Sequence, residues 1–488
     1  MGLKTLNADI GNMLFNTISF YIIFIAFLFG YALLRKHSRA LMILYVCAFN
    51  LFFFWKANAE LFLLMPFTAF FSWIATIRMD MAKGRERKLW LALIIVVDLI
   101  PLLYNKYYNI GIGILNELLE QNFPLLDLIL PVGISFYTFQ AISYSVDVYR
   151  GRFTEEVDFM EYLFYLSFFP LLLAGPITRA EHFFPQLREK HETDERLIYS
   201  GLWLIMIGLI KKSVIADYIS QYNNWVFDDP MTYSGFENLM GIIGYYVQIY
   251  CDFSGYSDMS IGLAALMGIE LKENFRLPYQ ATSLTDFWHR WHTSLSTWFR
   301  DYVYIPLGGN RKGTTRTYLN NFITLVLAGL WHGASMMFVI WGVLHGIGIV
   351  VNKIFKSLIS DRVNSSDSSF VHYSSFISSW LLTQVFVAVA WVFFRSSDLT
   401  ICRELFSQVF TNFDIAYLKY FLTARPMWSA LVVIALLFHA IREEHFYVLQ
   451  EYYVRTSWVV KLILLVIVIQ LAVQFSTSNV QPFIYYQF

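Results

Sequence analysis

Long apolar runs recur from one end of the chain to the other, and they limit the possible fold more than any other feature. A membrane-spanning helix needs about 20 mostly apolar residues, because the hydrocarbon core is about 30 Å thick. Several runs reach that length and others fall short, which predicts re-entrant or interfacial helices among the full spans. The runs lie near residues 14–34, 40–55, 59–77, 89–104, 128–149, 160–178, 198–220, 238–269, 319–355, 374–394, 426–440 and 457–476.

The composition agrees with a membrane protein. Hydrophobic residues make up 57% of the chain and charged residues 15%, whereas a soluble domain carries about 25% charged residues. Basic and acidic residues number 36 each, so no net charge attracts nucleic acid, and we exclude that partner. We predict an all-α integral membrane protein in contact with the lipid bilayer. It forms a single polytopic domain over residues 1–488 with about eleven transmembrane helices.

Basic loops predict the orientation of the chain in the membrane. One basic loop, Arg35–Arg39, follows the first apolar run, and another, Arg78–Lys88, follows the third. The loop between them, Lys56–Glu60, is nearly neutral. The positive-inside rule then places both basic loops in the cytoplasm and the N-terminus outside. The first run, Gly11–Leu34, is too long for the core of a signal peptide, so we expect a retained first span.

One stretch, Thr317–Asn352, contains no Asp, Glu, Lys or Arg. As one straight helix it would measure about 54 Å and could not fit the hydrocarbon core. We therefore predict a break at Gly329–Gly333, where two glycines flank His332. Irregular backbone at membrane depth occurs only inside protein or beside a wet cavity, and an ionisable residue there indicates function. A lone His can instead be hydrogen-bonded structurally, which is the main role we expect for His345.

Polar and ionisable residues are concentrated in the block Asn274–Arg311. Ser283 with Asp286 is typical of a helix start. Apolar residues then recur at helical spacing, namely Leu284, Phe287, Trp288, Trp291, Leu295 and Trp298. The opposite face carries Thr285, His289, His292, Ser296 and Arg300. This pattern predicts one amphipathic helix, which either lies flat on the membrane or lines a cavity.

Other ionisable residues in and around this block favour structural roles. His289 and His292 are one helical turn apart but lack a third ligand at suitable spacing, so we predict no metal site. Asp286 and Arg290 have the spacing of a helix-face ion pair.

The apolar runs also contain charged residues and cysteines. We expect Asp252 and Asp258 to be paired structurally. Lys211 and Lys212 end an apolar run, where snorkelling toward the cytoplasm accounts for them. The three cysteines, Cys47, Cys251 and Cys402, match no metal motif and are expected to be small buried hydrophobes.

Taken together, five segments resemble the membrane-bound O-acyltransferase family, most closely its bacterial alginate and polysaccharide O-acetylation branch. They lie within residues 130–350, which correspond to the catalytic core of that family. The segments are LPVGISFYTFQAISYSVDVYRG, FFPLLLAGPITR, YCDFSGYSDMSIG, the Asn274–Arg311 block and GLWHGASMMFVIWGVLHG.

The resemblance implies two catalytic histidines, His332 in Trp-His-Gly and His292 in Arg-Trp-His. His289 occupies a position where the family often has Arg or Asn, so it inherits no role. We expect the neighbouring residues to contact substrate: Trp331, Trp291, Asn274, Asp286, Tyr279 and Arg300. A neutral His suits the removal of a proton from a hydroxyl, and apolar surroundings favour its neutral form.

The family fold implied here is a ring of helices around a thinned centre. A cytoplasmic tunnel admits an acyl thioester, and an outer funnel admits the acceptor. The expected donor is acetyl-CoA or another acyl thioester, with no bound cofactor. The resemblance further implies a periplasmic acetyltransferase partner and a place in the bacterial cytoplasmic (inner) membrane.

Three alternatives stay open at this point. A related branch transfers D-alanine from a carrier protein to teichoic acid. A proton-coupled transporter would use the same histidines with Asp252, although the chain has no internal repeat of the kind common in transporters. An assembly scaffold would need no acyl chemistry.

Overall fold

A computed structural model describes residues 14–128, 130–189, 194–364 and 369–475. Within those ranges every regular element is a helix and no strand occurs, which confirms the predicted all-α class. The chain packs as two compact units, one from Met1–Ile205 with Tyr256–Lys272 and one from Met206–Gly255 with Glu273–Phe488.

The first unit consists of the N-terminal helices and the C-terminal end of a later one. Its members are α1 (Ile18–His37), α2 (Arg39–Asn58), α3 (Leu64–Met81), α4 (Gly84–Leu119), α5 (Ile134–Tyr149), α6 (Phe159–Ser167), α7 (Phe169–Ala174), α8 (Ala180–Arg188) and most of α9 (Glu195–Leu209).

The second unit continues α9 through a π-helical turn, Ile210–Ala216, into α10 (Asp217–Asp228). It also contains most of α11 (Gly235–Leu266), whose last turns belong to the first unit. The rest are α12 (Leu284–Arg290), α13 (Thr293–Phe299), α14 (Thr314–His332), α15 (Met336–Asn364), α16 (Ser369–Arg395), α17 (Leu399–Thr411), α18 (Tyr417–Ala424), α19 (Pro426–Ala440), α20 (Glu443–Arg455) and α21 (Trp458–Phe475).

Short polar side chains begin several of these helices. The hydroxyl of Ser38 accepts a hydrogen bond from the Leu41 N–H at 3.3 Å and starts α2 directly after α1. Asp158 accepts from the N–H of Glu161 at 2.9 Å at the start of α6. Each cap satisfies an N–H group that the first helical turn leaves without a carbonyl partner.

The described residues contain eight helices that are long and apolar enough to span a membrane, or nine if the bent pair α18–α19 counts as one. The protein is therefore a multi-pass membrane protein, while the predicted number of about eleven spans is not confirmed. Two apolar runs form shorter elements: one gives α5, of 16 residues, and the other divides into α6 and α7, of 9 and 6 residues. The ring-like arrangement and the single domain stay predictions.

The first apolar run and the three cysteines were also subjects of prediction. The first apolar run forms α1, which is long and apolar enough to span a membrane, while residues 11–13 of the run lie outside the described residues. Retention of this span stays a prediction. All three cysteines are buried and form no disulfide, which confirms their assignment as small apolar side chains.

The charge-free stretch breaks where the sequence predicts. α14 ends at His332 and α15 begins at Met336, so the two helices form a hairpin. Glycines let their backbones approach closely. A Cβ atom on Gly342 would lie 2.7 Å from the carbonyl oxygen of Leu325, and one on Gly329 would lie 3.0 Å from the Cα of Gly342. No larger residue fits at these crossing points without separating the helices.

We expect Gly329→Ala to destabilise the protein, because the added methyl group would meet backbone atoms of α15 that cannot rotate away. Overpacking of this kind costs about 1–3 kcal/mol, and thermal unfolding in detergent measures it. Gly113→Ala is the matched control, since no atom lies within 4 Å of its added Cβ. A Gly329→Ala protein as stable as the control would contradict close packing at this crossing.

Candidate active site

His332 is the last residue of α14 and lies inside the protein, with 4% of its surface exposed. Gly333 adopts an extended backbone directly after it and ends the helix. Three aromatic rings surround the imidazole. Their centres lie 4.9 Å away for Trp331, 5.0 Å for Trp341 and 5.1 Å for Phe394. The helix end therefore presents this side chain to an apolar, aromatic environment.

The predicted helix over the polar block is interrupted in its middle. α12 ends at Arg290, α13 begins at Thr293, and His292 between them takes a left-handed backbone with a φ of 44°. The preceding segment supplies hydrogen bonds in place of intrahelical ones. Arg276 N–H donates to the Arg290 carbonyl at 2.9 Å, and Thr293 N–H donates to the Asn274 carbonyl at 3.0 Å. The prediction of one continuous helix is therefore wrong, because these tertiary bonds satisfy the broken ends.

Other features of the predicted helix are confirmed. The hydroxyl of Ser283 accepts from the N–H of Asp286 at 3.1 Å and caps α12. Arg290 Nε donates to Asp286 Oδ1 at 2.9 Å, as the spacing predicts. Every residue of the predicted apolar face is buried, namely Leu284, Phe287, Trp288, Trp291, Leu295 and Trp298.

The break brings His292 against Asn274. The side-chain oxygen of Asn274 accepts from the backbone N–H of Ser294 at 3.2 Å, which identifies this amide atom as the oxygen. His292 Nδ1 lies 3.1 Å from the same oxygen, and only a protonated Nδ1 can bond to it. In the neutral ring Nε2 therefore carries the lone pair and can accept a proton or a hydrogen bond.

Burial keeps His292 neutral. None of its surface is exposed, and desolvation lowers its pKa to about 3. The cost of removing a charged imidazolium from water produces this shift. The ring is therefore a hydrogen-bond acceptor at Nε2 throughout the physiological pH range.

The indole of Trp331 is close to both histidines predicted to be catalytic. The ring centre of Trp331 is 4.9 Å from that of His332 and 6.2 Å from that of His292. Phe253 stands edge-on to His292 at 4.7 Å. The structure thus brings the two histidines into one aromatic cluster, although they are 40 positions apart in sequence.

Tyr279 and Trp291 form part of the packing around this cluster. The hydroxyl of Tyr279 donates to the carbonyl of Tyr246, and the two rings stack with centres 3.7 Å apart. The ring centre of Trp291 lies 6.4 Å from that of Tyr279 and 4.9 Å from that of Trp391. Their contact with substrate stays a prediction, as do the roles of the other residues named from the sequence.

A cavity of about 300 Å³ lies along the two short helices. Polar side chains from α12 to α15 line it: Thr285, His289, Thr293, Ser296, Thr297, Arg300, Tyr304, Asn321, Thr324 and Lys353. None of the described lining residues is acidic. Four of the five residues of the predicted polar face line this cavity, whereas His292 is turned into the interior. The cavity-lining interpretation is therefore favoured over a helix lying flat on the membrane.

Sequence reasoning missed two cationic or titratable groups on this cavity. His289 was assigned no role and Lys353 was not singled out, yet both line it. Neither makes a hydrogen bond or ion pair within the described part of the chain, whereas Arg300 is 2.8 Å from Asp301 Oδ1. The available signal for Lys353 was its position as the first charged residue after the charge-free stretch.

The expectation that Lys212 snorkels is wrong. Its side chain is 1% exposed, and its Nζ contacts Asp252 Oδ1 and lies 2.8 Å from Asp217 Oδ1. Paired carboxylates inside the protein hold the ammonium more effectively than a distant membrane surface. The expected structural pairing of Asp252 is confirmed by the same contact.

Comparison with known proteins gives a consistent result. Residues 152–394 match the sequence model of the membrane-bound O-acyltransferase family. "Probable alginate O-acetylase AlgI" of Pseudomonas aeruginosa is 36% identical over 407 residues, which cover 82% of this chain and 75% of the relative.

Two further relatives carry other names. The "Peptidoglycan O-acetyltransferase" of Helicobacter pylori is 33% identical over 417 residues, covering 79% of this chain and 78% of the relative. The "Teichoic acid D-alanyltransferase" of Bacillus subtilis is 31% identical over 261 residues, covering 50% of this chain and 66% of the relative.

We expect His292→Gln to reduce the acid sensitivity of the fold. The folded-state pKa of His292 is about 3, below the ordinary value of 6.5. Between pH 3 and pH 6.5 this His is therefore protonated in the unfolded chain and neutral in the folded protein. The free energy of unfolding therefore falls as the pH falls through this window, by up to about 1.4 kcal/mol per pH unit for this group.

Thermal unfolding at pH 7, 6 and 5 measures this effect. The wild type should lose stability more steeply than His292→Gln as the pH falls. Equal slopes for the wild type and His292→Gln would contradict the neutral, buried state of this ring.

Proposed function

This chain belongs to the membrane-bound O-acyltransferase family and is an acyltransferase, and on that premise we propose that it transfers an acetyl group from a thioester to a polysaccharide hydroxyl. Two relatives named for O-acetylation align with about four-fifths of the chain, at 82% and 79%. The acceptor is an extracytoplasmic polysaccharide or cell-wall polymer, reached directly or through a periplasmic partner.

The single observation that carries this proposal is the pair of buried histidines that both pack near Trp331. One of them, His292, is neutral and has its Nδ1 proton bound to Asn274, so its Nε2 accepts but does not donate. This tautomer suits a role in orienting a reactant, because Nε2 has no proton with which to polarise one. Because the ring is fully buried before substrate binds, substrate entry must open the aromatic cluster. Nε2 then accepts a hydrogen bond from the acceptor hydroxyl or from the departing thiol.

His332 acts as the general base. It takes the proton of the acceptor hydroxyl while that oxygen forms a bond to the thioester carbonyl carbon. The carbon–sulfur bond then breaks, and the proton passes to the thiolate. The products are an ester and a thiol, so the reaction needs no net proton and no oxidant. The thioester is already activated, and no covalent acyl-enzyme is required.

The donor is acetyl-CoA, or another acyl thioester, that enters from the cytoplasm. The cavity supports this assignment because its described lining includes cationic and hydrogen-bonding side chains among apolar ones and lacks carboxylates. Arg300, His289 and Lys353 suit the negative groups of such a donor. The cytoplasmic donor side and the bacterial inner membrane are part of this proposal and follow the family resemblance.

D-alanyl transfer from a carrier protein is the second candidate. The relative named teichoic acid D-alanyltransferase supports it, but over 50% of this chain instead of 82%. The two candidates differ in donor. Label transferred from acetyl-CoA to the polymer favours acetylation, whereas label transferred only from a D-alanyl carrier protein favours the other.

We expect His332→Ala to abolish acetylation of the acceptor, because the base that removes its hydroxyl proton is lost. General-base catalysis contributes about a hundred- to ten-thousandfold. Membranes containing the protein, labelled acetyl-CoA and polysaccharide acceptor measure the rate. His445→Ala, at an exposed position, serves as the control. Acetylation at the wild-type rate by folded His332→Ala protein would refute this role.

We expect Lys353→Met to raise the KM for the thioester about tenfold with little change in kcat, because it removes a positive charge that binds the donor and takes no part in bond formation. Initial rates at varied donor concentration separate the two constants. Lys356→Met is the matched control, since Lys356 is on the same helix but does not line the cavity. An unchanged KM in Lys353→Met would exclude the cavity as the donor site.

A further inference from the structure

Three charged side chains meet inside the second unit, and we call them the Lys212 cluster: Lys212, Asp217 and Asp252. Their exposed fractions are 1%, 6% and 4%. Lys212 Nζ lies 2.8 Å from Asp217 Oδ1 and contacts Asp252 Oδ1. The cluster ties the helix that runs through Glu195–Asp228 to α11.

The cluster is costly to bury. Charges lose their hydration inside a protein, and replacing a buried ion pair by apolar side chains is often neutral or stabilising. Stability alone therefore gives a weak reason for three charges at this place. The hydrogen bonds within the cluster do demand a defined geometry, because they weaken steeply when they are misaligned, and a buried charge that loses its partner is strongly destabilising.

The backbone is adapted to form the cluster. Ile210–Ala216 is π-helical, and the N–H of Asp217 donates to the carbonyl of Lys212, five residues earlier. In a regular α-helix that carbonyl would bond to Ala216 instead. The π-helical turn thus brings the carboxylate of Asp217 beside Lys212. Such turns occur frequently at functional sites.

α11 packs directly on this turn. A Cβ atom on Gly255 would lie 2.9 Å from the carbonyl oxygen of Gly208 and 3.0 Å from the backbone nitrogen of Lys212. The two backbones are therefore in close contact one turn after Asp252. A small shift of α11 at this point would break both the ion pair and the backbone contact.

The residue after Asp252 connects the cluster to the candidate active site. Phe253 is fully buried, and its ring stands edge-on to His292, with centres 4.7 Å apart and planes at 89°. It also contacts Phe275, with centres 4.9 Å apart. Movement of α11 would change the support of the His292 ring.

We propose that Lys212 and Asp252 are positioning residues, which hold α11 so that Phe253 supports the imidazole of His292. The ion pair sets the height and rotation of α11, and the ring of Phe253 transmits that position to His292. The kinetic consequence rests on the proposed acetyl transfer, whereas the geometric consequence does not.

The first test measures the packing of His292 without using activity. Diethyl pyrocarbonate modifies accessible neutral imidazoles, and peptide mapping by mass spectrometry resolves each one. In the wild type we expect His292 to be protected and His289, which is exposed, to react. In Asp252→Asn we expect His292 to become reactive while His289 keeps its rate. Asp98→Asn, which changes a buried carboxylate of the first unit bonded to Ser72, should leave His292 protected.

The second test separates positioning from general damage. We expect Asp252→Asn to lower kcat about 10- to 100-fold, as small displacements at a reacting centre do, with KM for the donor unchanged. Lys212→Arg should retain more activity than Lys212→Met, because it keeps the positive charge. In a double-mutant cycle, the variant that combines Asp252→Asn with Phe253→Leu should have a kcat only slightly lower than that of the less active single variant.

The outcomes are distinct. A protected His292 in folded Asp252→Asn, or additive losses in the cycle, would overturn the positioning role. Increased labelling together with non-additive losses would support it. A wild-type protein that transfers no acetyl group would refute the proposed function, and the labelling result would still decide the geometric inference.

Discussion

Hydrogen bonds from the segment around Asn274 determine the arrangement of the candidate site. Arg276 N–H takes the last carbonyl of α12, and the Asn274 carbonyl and side chain take the first N–H groups of α13. These bonds allow His292 to adopt a left-handed backbone, which turns its ring away from the cavity and into the protein. The same side-chain oxygen fixes the imidazole tautomer. The side chain of Asn274 and the backbone groups beside it together fix the position and hydrogen-bonding character of this histidine.

The second constraint is the hairpin of α14 and α15. A charge-free stretch too long for one straight span must turn, and the glycines at its crossing points let it turn tightly. The turn leaves His332 at a helix end beside Trp331, whose indole also reaches His292. Two breaks in helical structure, each with a local physical cause, therefore produce the histidine pair.

Predictions at particular residues succeeded or failed according to whether the interactions involved were local in sequence. Hydropathy and helical periodicity predicted the helical class, the break before Met336, the cap at Ser283 and the Asp286–Arg290 pair, because each depends on neighbours within a few positions. The continuous helix over the polar block was wrong, since the bonds that interrupt it come from outside the helix. Snorkelling of Lys212 was wrong for a similar reason. One of its two carboxylate partners, Asp252, is 40 residues away, and local pattern does not reveal such contacts.

The sequence by itself determined that this protein is helical and membrane-embedded, and which two histidines to consider, since apolar length and local motifs are properties of a continuous segment. Only the tertiary structure decided that His292 is buried and neutral while His289 and Lys353 line a cavity. Four of the five residues on the predicted polar helix face line the cavity, as the helical periodicity predicted. The fifth residue, His292, faces the protein interior. Here the buried helix ends take their hydrogen bonds from the segment around Asn274, because buried backbone N–H and C=O groups need partners.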